Sequence, residues 1–431
     1  MMTLMKRITA IALALSLAGV LGAQGAPQGQ RPPKGPGAGS GNPGGSGVSP
    51  AENYTIEQSV SDQAQLSTIS FSALAFMSGT FGADTFLPPG KVADYFGFQY
   101  MRDIDAKEAG HNQMFLGKIG NATLAILDAK QKALFLDLAV KQESAYQDLV
   151  KSRLVVIKAF RDNMEGKGPA GNTGLSQKAV QAAVAGIFAI DGQLAYDRAV
   201  VYGKVATSLT AAQKAAFAKL SFGDSSTWPS LEDQYDKRTM SHGQDVLFLT
   251  YASEFFSWYA GNENADVYFC PERHGTYFGG FYMKDYPAMG NSDYFIPTAL
   301  TGDSGAALLS EVLTKDQAAV ITGIMTPLKP ILAEILSIRR QISQQFRGAL
   351  SGKAIDYDKV MALSRRYGEL DGLQSWEMAT RFAAVYRTLS ADQKAAMVRL
   401  RNQDVFPAGY YLYSDPVDTQ ATIDDSGLFS K

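Results

Sequence analysis

The sequence predicts an all-α protein: two tandem copies of one unit of long helices, each with an extra aromatic-rich loop or short extended segment. Three observations lead there. Long stretches are rich in Ala, Leu, Lys, Gln and Glu with few breakers, the composition that favours helix. The short apolar alternations that a large sheet would need are missing. Finally, the chain repeats itself. Gly79 falls on Gly261, Asp84 on Asp266, Pro89 on Pro271 and Lys91 on Arg273 without a gap, and further along Ile190-Asp191-Gly192 falls on Leu370-Asp371-Gly372.

Taken in order, residues 1–25 read as an export signal. Lys6 and Arg7 precede the apolar run ITAIALALSLAGVLG, and Ala23-Gln24-Gly25 offers a cleavage site. That run is short for a membrane span, and no later apolar segment of about 18 residues is expected. Residues 26–52 are dominated by Gly and Pro and read as a disordered linker. The first helical repeat is placed at 53–230, the second at 231–415, and a C-terminal tail at 416–431.

Within the first repeat, helices are expected over Leu127–Glu165, closed by Gly166, then Leu175–Ser208 and Thr210–Leu220. The stretch EGKGPAGNTG is expected to be the loop between the first two. The second repeat should carry helices over Tyr357–Thr388 and Ser390–Arg401. Pro327 and Pro330 stand where the first repeat has Lys141 and Ser144. Proline removes a helix hydrogen bond, so the second repeat's long helix should be kinked or split there and the first should run straighter.

Net charge of −2 gives no electrostatic attraction to nucleic acid or anionic membrane. The single cysteine, Cys270, excludes an internal disulfide. No phosphate loop, metalloprotease helix, nucleophile elbow or haem-attachment motif occurs, and no pair of acidic residues is nominated for acid/base work. The expectation is therefore a protein that is not an enzyme, with no catalytic residue, no cofactor and no metal site. The three histidines, His111, His242 and His274, are scattered and not kept between repeats. His111 and Met289 fall at comparable positions, and such pairs can bind soft metals, but incidental histidines are the favoured reading.

One motif recurs four times: Leu, a capping residue, two residues, then Gln. The copies are Leu127-Asp128-x-x-Gln131, Leu209-Thr210-x-x-Gln213, Leu313-Thr314-x-x-Gln317 and Leu389-Ser390-x-x-Gln393. Each is a capping box. The Asp, Thr or Ser side chain accepts from an early helix N–H, and the Gln reaches back to the cap's own N–H. Two copies per repeat, in matching context, resemble the LTxxQ, or Spy/CpxP-like, family of periplasmic proteins. The stretch from Asp356 to Leu400 is especially similar to that family's second half. The resemblance implies that each copy is a Spy/CpxP-like unit of long, bent antiparallel helices forming a cradle, here a pseudo-dimer within one chain, with further oligomerisation left open. It implies a periplasmic ATP-independent chaperone or envelope-stress protein whose partners are unfolded or partly folded proteins. A metal-binding or metal-sensing protein and a structural or interaction module of the envelope stand as alternatives.

The aromatic phrase YFGFQYMRD recurs as YFGGFYMKD. Its rings, Tyr95, Phe96, Phe98 and Tyr100 and then Tyr277, Phe278, Phe281 and Tyr282, are the candidate client-binding residues. Packing within each repeat is the competing reading, and the favoured one.

Overall fold

The computed structural model describes residues 60–79, 118–220, 228–261, 263, 304–400 and 423–431. Among them the secondary structure is helical except for one pair of two-residue strands. In the N-terminal half lie α1 (Asp62–Ser78), α2 (Gly120–Ile126), α3 (Ala129–Glu165), β1 (Gly174–Leu175), α4 (Gln177–Ser208) and α5 (Ala211–Phe217). The C-terminal half holds α6 (His242–Ala260), α7 (Ser304–Ala307), α8 (Lys315–Thr322), α9 (Met325–Leu350), α10 (Tyr357–Tyr386) and α11 (Ala391–Leu400). Strand β2 (Phe429–Ser430) is the last element in the order.

The expected helices form, and local chemistry sets their ends. Asp128 caps α3 by accepting from the Gln131 N–H. At the other end Gly166 takes the left-handed conformation (φ 72°), and Lys167 N–H reaches back to the Asp162 carbonyl at 2.8 Å. The 37 residues between run unbroken, about 56 Å at the usual rise. The equivalent helix of the C-terminal half is split into α8 and α9, as the prolines predict. The break falls at Gly323–Ile324, just ahead of them. The reason is one turn of geometry: an unbroken helix would bring the Pro327 ring against the Gly323 carbonyl, four residues back, with no N–H to bond it. Pro330 lies inside α9, where it leaves the carbonyl of Thr326 without a helical donor.

The centre is built from the long helices α3, α4, α9 and α10. α4 and α10 form the closest pair and run antiparallel, so Gly372 meets Gln181, Gly368 meets Ala185 and Tyr357 meets Gln193. Two glycines permit this approach. A Cβ on Gly368 would come within 2.7 Å of the Ala185 Cα and the Val184 carbonyl oxygen, and one on Gly372 within 2.7 Å of the Gln181 Cα. Around this seam the core holds Val180, Val184, Ile187, Phe188, Tyr367 and Leu370, with the Phe188 and Tyr367 rings 4.6 Å apart. Ridges of apolar side chains removed from water supply the main driving force for such a seam.

The first helix of each half packs on the other half. α1 lies against α7, α8, α9, α10 and α11, all C-terminal elements, whereas α6 lies against α2, α3 and α4. Each is nevertheless tied at its end to its own half. Arg161 of α3 donates to the carbonyls of Phe76 (3.0 Å) and Gly79 (3.1 Å) at the end of α1. Arg347 of α9 does the same for α6, through Trp258 (2.9 Å) and Gly261 (2.5 Å). A cation on the last carbonyls offsets both their lost hydrogen bonds and the helix dipole. In the packing, the N-terminal and C-terminal halves thus exchange their first helices.

Two stretches, Gln177–Ser208 and Lys315–Leu350, are long and apolar enough to cross a membrane by length and composition. This corrects the expectation that no later segment reaches that hydropathy. The cause is core composition: α4 is surrounded by α3, α9 and α10 and carries Ala, Val and Ile on several faces.

Candidate functional site

The four capping boxes are the residues that sequence reasoning singled out and the structure describes. All four form, with Leu127, Leu209, Leu313 and Leu389 buried ahead of them. Their geometry adds something the motif alone does not contain: the boxes are joined in pairs. In the N-terminal half the Gln213 amide donates to Gln131 Oε1 at 2.7 Å and to the Ile126 carbonyl at 3.0 Å. Gln131 in turn donates to Ser208 Oγ at 3.0 Å. In the C-terminal half Gln393 donates to Gln317 Oε1 and to the Val312 carbonyl, each at 2.8 Å, and Gln317 to Thr388 Oγ1 at 3.0 Å.

The chemistry explains why the last motif residue is Gln in all four. Its Oε1 accepts from the N–H of the capping residue, at 2.9 Å for Asp128 and Thr314 and 3.0 Å for Thr210 and Ser390. Its amide nitrogen remains to bind the other motif, as in Gln213 and Gln393, or the residue just ahead of it, as in Gln131 and Gln317. Glutamate could make the first contact but not the second. Each pair therefore clasps the entry of α3 or α8 to the entry of the last short helix of its half, and also holds the carbonyl that ends the preceding helix.

A second arrangement was not legible in any motif. At the junction of α3, α4 and α6, Arg198 Nη1 lies 3.1 Å from both carboxylate oxygens of Glu254, and the Tyr202 hydroxyl donates to Glu254 Oε2 at 2.7 Å. Tyr251 donates to Gln142 Oε1 at 2.5 Å, and the Gln142 amide to the Leu194 carbonyl at 3.0 Å. Arg198, Tyr202, Tyr251 and Tyr146 are all buried. Burial raises the phenols of Tyr146 and Tyr202 well above their ordinary range, and the Glu254 carboxylate raises them further, so both stay protonated. For Arg198 burial is the largest influence and works the other way, but Glu254 and the phenols of Tyr146, Tyr202 and Tyr251 together outweigh it and keep the guanidinium charged. The network docks α6 onto α3 and α4.

The corresponding positions of the other half are mostly apolar. Gln142 and Tyr146 stand opposite Leu328 and Leu332 in the order of elements, Arg198 and Tyr202 opposite Met378 and Phe382, and Tyr251 opposite Ile69. There α1 docks through buried Ile69, Ala73, Phe76 and Met77, with Phe76 and Phe382 rings 6.2 Å apart. Both exchanged helices are packed through buried apolar side chains, and the dock of α6 adds the buried Arg198–Glu254 pair.

Tyr95, Phe96, Phe98, Tyr100, Tyr277, Phe278, Phe281 and Tyr282 lie outside the described residues, as do His111, His274, Cys270 and Met289. His242 opens α6. Among the described residues no group of three or more His, Cys, Asp or Glu side chains could hold a metal ion. Comparison with protein-family models, with curated proteins and with solved structures gave no match.

Proposed function

We propose that this chain is an exported, periplasmic, non-catalytic binding protein of the LTxxQ type, duplicated in tandem, that holds non-native polypeptides without ATP. The observation that carries this reading is the pairing of the four motif copies into two equivalent clasps. The same hydrogen bonds recur in the two halves, Gln213 with Gln131 and Gln393 with Gln317. They join elements that follow one another in the same order. A duplicated unit accounts for that recurrence more simply than coincidence does. The motifs serve the frame, so the binding surface is to be sought elsewhere. The aromatic phrases at 95–103 and 277–285 are the leading candidates. Each follows the exchanged first helix of its half in sequence.

The test is aggregation of an unrelated client diluted from denaturant, followed by light scattering without nucleotide. Suppression is expected at a few-fold excess of this protein. No suppression would remove the chaperone reading. Replacing the rings of one phrase by Ser should lower suppression while leaving the urea midpoint unchanged; a lowered midpoint with unchanged suppression would make the rings core.

A further inference from the structure

Residues 423–431 seat on the loop between α3 and α4. Thr173 N–H donates to the Ser430 carbonyl at 3.0 Å and Ser176 N–H to that of Leu428 at 2.8 Å, so Gly174 pairs with Ser430 and Leu175 with Phe429 in an antiparallel ladder. Leu428 and Phe429 are buried. The Phe429 ring lies over Gly168, where an added Cβ would come within 2.7 Å of it. Asp425 is buried, and its Oδ1 sits 2.9 Å from Lys158 Nζ on α3. The receiving strand is braced from the C-terminal half, by Trp376 Nε1 donating to the Leu175 carbonyl at 3.0 Å.

Those are the parts of a strand-addition site: a backbone edge giving affinity, a pocket and a cation giving selectivity. We infer that the groove made by Lys158, Gly168 and the Thr173–Ser176 edge is a peptide-binding site for segments in which an acidic residue and one 3-10 turn precede an apolar–aromatic pair that opens a short strand, as the Leu428 N–H bonded to the Asp425 carbonyl at 2.9 Å does here. In this structure the chain's own Asp425, Leu428 and Phe429 fill it. A segment arriving in trans must displace this tail, and its apparent affinity falls with the fraction of molecules whose groove is open. As a client site the groove rests on the function proposed above; as a peptide site it does not.

The probe is a fluorescent peptide of sequence TIDDSGLFSK, followed by anisotropy against the full-length chain. Leu428→Asp with Phe429→Asp, which should undock the tail, is expected to bind it at least about tenfold more tightly than the unaltered protein. Adding Gly168→Val should abolish the gain by filling the space of the ring. If the undocked protein keeps its helical circular dichroism yet binds no better, or if Gly168→Val changes nothing, the inference is overturned. Should the double variant fail to fold, charge reversal decides: Lys158→Glu should bind the peptide with its second Asp replaced by Lys, and the unaltered protein should not. Absence of that swap also overturns it. Run beside the scattering assay, peptide binding without suppression keeps the site and removes the chaperone reading. Suppression with no peptide binding overturns the site alone.

Discussion

Gln213 offers the sharpest test of the clasp. Replacing it by Ala removes the acceptor of the Thr210 N–H (3.0 Å) and the donor to both Gln131 (2.7 Å) and the Ile126 carbonyl (3.0 Å). A typical net contribution is about 1 kcal/mol per hydrogen bond, and the Ile126 carbonyl, left half-buried without its donor, adds to the cost. The expected loss is about 2–4 kcal/mol, read as a lowered urea midpoint of the helical signal at unchanged slope. Gln213→Glu separates the two roles. It keeps the oxygen that accepts from Thr210 but faces the Ile126 carbonyl and Gln131 Oε1 with lone pairs in place of N–H groups. It should therefore cost about as much as Ala despite its good capping propensity. A cycle with Gln131→Ala should give a coupling of about 0.5–1.5 kcal/mol. Additive single effects, or a Glu variant as stable as the original, would refute the argument that glutamine is required for its spare amide.

Three further outcomes follow from other sites. Glu254→Gln leaves the buried Arg198 charge without its partner and should cost about 3–5 kcal/mol in urea unfolding. The same change of Gly to Ala should have opposite signs at two helix positions. Gly368→Ala drives a Cβ into the α4 backbone and should destabilise by about 1–3 kcal/mol, whereas Gly186, with nothing within 4 Å, should gain up to about 1 kcal/mol, both read as thermal midpoints. Burial lowers the Lys158 amine, but the carboxylates of Asp162 and Asp425 outweigh it and raise its pKa. A raised amine stabilises while protonated, so the tail contact is complete below the ordinary lysine value of 10.5 and is lost as pH climbs through the raised one. Fluorine NMR of fluorophenylalanine-labelled protein should show the Phe429 signal moving only in that alkaline range, and moving at neutral pH in Lys158→Gln.

What the sequence disclosed is what short-range chemistry decides. The Asp128 cap and the Gly166 stop bound α3 within two residues of their expected places, because both act within one turn. The prolines announced the split between α8 and α9 for the same reason. The joining of the boxes was not legible: the direction of the Gln213 amide depends on where α2 and α3 end up, some eighty residues away. Nor could the repeat reveal the exchange of α1 and α6, since a repeat fixes the order of elements and not their neighbours. The polar dock of α6 had a signal of a kind. Arg198 and Glu254 stand where the other half has Met378 and Ser72, so a buried pair could have been suspected from the mismatch. The seating of Leu428 and Phe429 carried no signal, because two apolar residues near a chain end are common.

The exchange of first helices also sets an order on assembly. α1 is synthesised before any of the elements that cover it, and the apolar side carrying Ile69, Leu74, Phe76 and Met77 meets its surroundings only once residues 304–400 have been made. Helix α6 finds α2, α3 and α4 already made, and waits for α9 only at its end, where Arg347 ties it. The N-terminal elements together with α6 can thus mature while the chain is still growing, leaving α1 as an uncovered apolar helix at the front of a half-finished molecule. Long sequence separation between partners slows their meeting, and an apolar face exposed for that interval invites association with whatever is nearby. For this chain the vulnerable moment comes early, and it ends only when the last long helix arrives.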